Sequence, residues 1–180
     1  MAIPVLQRVR WLVVSEAGLD EDAFSRLYER HLDHVLNYVR YRLGPEEAED
    51  ITADIFARVW ARRSGYDPRK GSQTTWLWAI ARNAVTDRLR RRWMHVELPA
   101  SLPAGSDPHA VVEKEVELWA ARRALARLTE VDQEIVALRF GAGHTNRVIA
   151  TMVGLSEANV AQRLRRALRR MRSDLEGDNK

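Results

Sequence analysis

Six arginines, at positions 163, 165, 166, 169, 170 and 172, crowd the fourteen residues "NVAQRLRRALRRMR" (159–172). A guanidinium is planar, permanently charged and presents paired donors, so it can grip a phosphate or a guanine edge with two hydrogen bonds. Asn159 adds the amide that suits adenine, one helical turn before Arg163. A second set of similar chemistry lies upstream: Arg82, Asn83, Thr86 and Arg90, thickened by Arg91 and Arg92. Arg69 and Lys70 in "YDPRKGS" put two more cations in a loop, where backbone adapts readily to a ligand. A third set has mixed charge: Glu47, Asp50, Asp54 and Arg58 alternate around Ala57 and Ala61.

Other combinations are poor. There is no Gly-rich phosphate loop, no Ser-His-Asp arrangement and no metal quartet, so no catalytic residue, metal or cofactor is expected. His31 and His34 share one side of a helix, but zinc would need two further ligands. His31 continues the stripe Phe24, Tyr28, Val35 and reads as a packed histidine. His95, His109 and His144 fall in or near loops with no nucleophile or carboxylate partner. Trp60, Trp76 and Trp78 are most simply core. The absence of cysteine excludes disulfides, thiolate zinc and thiol redox chemistry within the chain.

The elements that must position these groups are helices. Apolar residues recur at intervals of three and four, and no alternating run of strand length appears. The 180 residues, 46% hydrophobic, suffice for one ordinary core or two small ones. A helix is expected from about Glu21 to Leu43, ending at Gly44-Pro45, and another over 46–63 that opens with Pro and acids. A third spans about 74–93. "VELPASLPAGSDPHA" (96–110) holds three of the six prolines and reads as a flexible linker. Beyond it come a helix over 108–128, a helix capped by Thr129 and stopped near Gly141, and two more in "TNRVIATMV" and "SEANVAQRLRRALRRMRSDL". The expected organisation is all-α: an extension over 1–20, one small helical domain over 21–95, the linker, and a four-helix domain over 111–176. The apolar run Trp11–Val14 is too short for a membrane span or signal-peptide core, so a cytoplasmic location without membrane insertion is the expectation.

Net charge is +4 and only three of 29 basic residues are lysine. A GC-rich genome explains that bias as simply as a need for the guanidinium fork. The last helix is better evidence. At about 100° per residue, Val160, Leu164, Leu168, Met171 and Leu175 fall in one arc and the arginines take the rest, so this is a docked helix with a basic outer face. Upstream, a short helix with Ile149, Ala150 and Val153 inside and a Gly-containing turn complete helix-turn-helix geometry. In that geometry the first turn of the second helix, here Ser156 to Asn159, reaches base edges. Arg166 and Arg170 suit the phosphate backbone. On the 74–93 helix, Trp76, Leu77, Ile80, Ala81 and Ala84 face inward while Arg82, Asn83, Thr86 and Arg90 share the opposite arc. For 46–63, spacing alone does not choose between a partner helix and plain solvent exposure of the Glu47 face.

"AEDITADIFARVWARR", "GSQTTWLWAIARNAVTDRLRRR", "ALARLTEVDQEIVALRFGAG" and "VGLSEANVAQRLRRALRRMR", in that order, resemble a bacterial RNA polymerase sigma factor of the sigma-70 family, extracytoplasmic function (ECF) group. The resemblance covers about 23–93 and 112–172. It implies a transcription initiation subunit, not an enzyme, whose partners are core polymerase and promoter DNA. The first half would melt and read the −10 element through Arg69, Lys70, Arg82, Asn83, Thr86 and Arg90. Its second helix would dock on the β′ clamp helices through Glu47, Asp50, Asp54 and Arg58. The second half would read the −35 element through Ser156, Glu157, Asn159, Val160, Arg163, Arg166 and Arg170, and touch the β flap. The linker would thread the polymerase. Whether an anti-sigma factor holds the protein is left open.

Four positions depart from the family pattern: Thr74 replaces an aromatic, Asn146 a tyrosine, Val148 a glutamate and Ala161 a lysine. They bear on −35 preference and on the capping of the helix beginning at Asn146, not on the fold. The rival function is a stand-alone helix-turn-helix regulator, which has no use for the mixed-charge face on 46–63.

Overall fold

A computed structural model describes residues 18–94 and 120–177, all helices and connections with no strand among them. The N-terminal 17 residues, the linker 96–110, His95, His109 and the first part of the expected 108–128 helix lie outside the described residues. α1 is Glu21–Leu43. Asp20 caps it, accepting from the Ala23 N–H at 2.7 Å, and acids in the first turn and arginines in the last both suit the helix dipole. Gly44, at φ +101°, ends it by returning its N–H to Arg40 O. α2 is Ala48–Ala61, followed by a 3₁₀ turn, Arg63–Gly65. The Leu19 N–H donates to Arg63 O, which ties the entry of α1 to this turn. α3, Gln73–Met94, is capped by Ser72, whose hydroxyl accepts from the Thr75 N–H.

In the second half, α4 is helical over 120–126. α5, Glu130–Val136, starts on the expected Thr129 cap. It widens into a π turn, Ala137–Gly141, and ends at the expected Gly141, where the Ala142 N–H reaches back to Ala137 O. α6 is Asn146–Val153, and Gly154 (φ +70°) turns the chain into α7, Glu157–Gly177. The start of α6 is not poorly capped: the Thr145 hydroxyl accepts from the Val148 N–H. Thr145 supplies what Val148 cannot.

The two expected helical domains also pack on one another. Val35, Tyr38, Val39, Leu77, Trp78 and Val85 of the first half share one buried cluster with Ile135, Leu138, Ala142, Ile149 and Val160 of the second. α1 lies against the π turn so closely that a side-chain Cβ on Gly141 would stand 3.0 Å from Tyr38 Cα. A smaller cluster, Leu125, Leu128, Val136 and Ala167 with Leu164 and Met171, belongs to the second half alone. Leu168 is not part of the α7 stripe; it is 42% exposed, and Ala167 takes the buried place. The small side chain lets α7 approach the Leu125–Leu128 segment, turning Leu168 outward.

Candidate nucleic-acid and polymerase interfaces

On α3, Asn83, Thr86 and Arg90 lie exposed along one stripe, as their spacing requires. Arg82 does not join them in solvent. Its Nε donates to Glu134 Oε1 at 2.7 Å and its NH1 to the carbonyl of Met152, both in the second half. It lies toward the Trp78 side of the helix, and that side packs on α5 and α6. In the loop before α3, Asp67 accepts from the Arg69 backbone N–H and from its guanidinium. The guanidinium hydrogen bond holds the Asp67 carboxyl below its usual range. Arg69 and Lys70 are exposed. Tyr66, buried, donates its hydroxyl to Gly71 O, which braces the loop against α3.

On α2, Asp50 is exposed and Asp54 pairs with Arg58 at 2.7 Å, one turn on, leaving Ala57 and Ala61 exposed beside them. Glu47 departs from the expected ridge. Its carboxylate meets Arg88 and, at 3.0 Å, Arg92, so it clamps the end of α3 to the start of α2. The outward ridge is Asp50, Asp54 and Arg58.

On α7, Ser156 caps the helix by accepting from the Asn159 N–H, and Glu157 is exposed in the first turn. Asn159 is half-buried; Arg166 and Arg170 are exposed. Val160 is fully buried against the α6 core and cannot reach DNA, because its apolar stripe is what docks the helix. Arg163 is tied by its NH1 to Asp132 Oδ1 at 2.8 Å, fastening α7 to α5. Ala158, Gln162, Arg165 and Arg169, outside the expected set, form an exposed line along α7 at intervals of four, three and four. That periodicity is present in the chain, beside the Asn159 and Arg163 positions one turn apart. If this line of α7 reads the −35 element, Arg165→Ala is expected to cost about 1–3 kcal/mol at one promoter base pair. Arg163→Ala should chiefly loosen α5 from α7. Binding titrations on single-base-pair variants of a promoter, beside thermal melts, check this; an Arg165→Ala loss that is uniform over all sequences would assign that residue to phosphate.

The two clusters of chemistry match known sequences. Sigma-70 region 2 matches residues 27–94 and sigma-70, region 4, matches residues 118–171. The ECF RNA polymerase sigma factor RpoE of Cereibacter sphaeroides is 29% identical over 177 residues, covering 93% of this chain and 96% of that one. BldN of Streptomyces coelicolor, another ECF sigma factor, is 32% identical, over 86% of this chain and 61% of its own. Among solved structures, CnrH in complex with the cytosolic domain of CnrY superposes with TM-score 0.66 at 22% identity, covering 88% and 91%. The sigma factor RpoE of Bartonella quintana, solved with the anti-sigma factor NepR, gives 0.63 at 20% identity, covering 85% and 96%. The chain belongs to the sigma-70 family, with regions 2 and 4 in one polypeptide, and within it to the ECF group. It is a promoter-directing subunit of RNA polymerase. No helix among the described residues is long and apolar enough to cross a membrane.

Proposed function

We propose that the first half docks on the β′ clamp helices through Asp50, Asp54 and Arg58. It meets the −10 element through Asn83, Thr86 and Arg90, with Arg69 and Lys70 on the DNA backbone. The second half reads the −35 element from the first turns of α7, with Ser156, Glu157, Asn159, Gln162 and Arg165 toward bases and Arg166 and Arg170 toward phosphates, and touches the β flap. The observation that carries this is the separation of two surface chemistries within one unit. Asp50, Asp54 and Arg58 stand on α2, while the cation-rich stripes stand on α3 and α7. A stand-alone regulator needs the second chemistry and not the first. The protein works in the cytoplasm as a non-enzymatic factor, and an anti-sigma partner of the kind named with NepR is expected to hold it.

Purified protein with core polymerase is expected to give promoter-specific transcripts, and alone to bind duplex DNA weakly. Tight sequence-specific binding without polymerase would establish the stand-alone reading instead. Asp54→Arg should lower core affinity by roughly tenfold or more, through like-charge juxtaposition at the docking face. The Asp54–Arg58 pair is a one-turn surface pair worth a few tenths of a kcal/mol, so the fold should survive. Core affinity equal to wild type, by surface-immobilised titration, would remove α2 from the docking face.

A further inference from the structure

One carboxylate of the second half is held entirely by donors of the first. Glu134 accepts from the Tyr38 hydroxyl at 3.0–3.1 Å and from Arg82 Nε at 2.7 Å. Arg42 Nε lies 3.1 Å from Glu134 Oε2, close enough to pair though out of line for a hydrogen bond, and Arg42 NH1 donates to Gln133. Tyr38 is fully buried and the Arg42 side chain is 2% exposed. Burial, then the neighbouring Glu134 charge, push the Tyr38 phenol well above its usual range, so it remains a donor. Two guanidiniums and a phenol converging on one anion are the donor set of a phosphate site.

This packed arrangement cannot straddle a promoter. Arg82 donates to Met152, and Ser156 follows Met152 by four positions, at most about 15 Å of chain. The α3 stripe and the first turn of α7 are therefore near neighbours. The −35 and −10 elements stand about 25 base pairs apart, roughly 85 Å at about 3.4 Å per pair. The 25 residues between Met94 and Ala120 can extend over a comparable distance, up to about 85 Å. Binding both elements must part the halves, and parting them strips Glu134 from two arginines that would otherwise sit uncompensated.

We propose that Tyr38, Arg42 and Arg82 form an anion site, filled by Glu134 when the halves are packed and by a backbone phosphate of promoter DNA when they part. The proposal rests on the assignment of α3 to DNA. Phosphate is favoured over the carboxylate of a protein partner because Asn83, Thr86 and Arg90 continue along exposed α3 beside Arg82. A strand following that stripe passes over the site. Glu134 is thereby a built-in competitor of DNA.

The test measures binding of a fluorescent promoter fragment by the full-length protein and by its complex with core polymerase, over a range of salt. Glu134→Gln removes the competing charge at constant size. Gly141→Ala strains the contact between the halves while leaving every side chain of the site in place, since the added Cβ would lie 3.0 Å from the α1 backbone at Tyr38. Both variants of the free protein should bind DNA roughly tenfold or more tightly than wild type, and Arg82→Ala should cancel that gain. In the polymerase complex, Arg82→Ala should make the slope of log affinity against log salt shallower by about one phosphate contact, a change of about 0.7–0.9. Two results would overturn the proposal: unchanged DNA binding by both opening variants while a fluorophore pair across the halves reports separation, or an unchanged salt slope for Arg82→Ala. Tighter binding of an acidic protein partner without tighter DNA binding would assign the site to carboxylates and also overturn it. Promoter-specific transcription by the wild-type complex separates the cases: if it persists while the slope is unchanged, the phosphate site alone is lost.

Discussion

Trp78→Ala is expected to remove about 3–5 kcal/mol of conformational stability, the cost of emptying a large aromatic site in a packed core. Trp78 is 1% exposed, and its ring meets two others edge-on: Tyr38 of α1, with centroids 5.4 Å apart, and His144 of the second half at 4.6 Å. The same side chain thus supports α3 on α1 and the first half on the second, so truncation opens a void at both contacts. With total stability of a domain near 5–15 kcal/mol, such a loss approaches the whole margin. Trp60→Ala should cost distinctly less, because that ring is half-exposed, packing against Phe24 and under the Arg63 guanidinium. Urea denaturation followed by far-ultraviolet circular dichroism measures both. Equal losses at Trp78 and Trp60 would show that Trp78 does not bridge the halves.

The contrast between those tryptophans marks what was legible in the chain. Helix ends carried by local chemistry were readable: Gly44 ends α1, and Thr129 starts α5. A cap involves residues three or four apart, so the sequence contains the whole interaction. Which polar residues of those helices stay in solvent was only partly readable. Arg82, Glu47 and Arg163 have the spacing of exposed residues, yet each pairs with a group 52, 41 or 31 positions away. A helical wheel assigns a side to a residue but does not say what second element covers that side. Val160 differs: it lies in the first turns of the recognition helix, yet the apolar stripe already places it inside, where it is fully buried. The contact between halves depends on Gly141, whose missing side chain admits α1; that significance appears only when both surfaces are known.

Acidification should weaken the protein between about pH 6.5 and pH 4, with His144 as the principal cause. Burial, then the nearby charges of His31 and His34, depress its pKa from the ordinary 6.5 to about 4. In that window the unfolded chain binds a proton that the folded chain refuses. Stability therefore falls as the pH drops through the unfolded value, and the loss is complete once the folded value is passed. A shift of that size corresponds to about 3 kcal/mol as a ceiling. His31 works in the same direction, lowered first by burial and then by His34 and Arg30. Little is available to stabilise the added charge. His144 lies against Trp78, its Nε2 is buried without a partner, and the neighbouring Arg139 donates to its carbonyl. His144→Gln should flatten the dependence over this range while keeping a neutral polar side chain. Urea midpoints compared at pH 7 and pH 5 measure it. A wild-type midpoint that does not move over that interval would mean His144 is protonated in the fold at little cost. Because the ring sits where the second half meets Trp78, mild acid should loosen that contact before either half unfolds, and the fluorophore pair across the halves should report separation first.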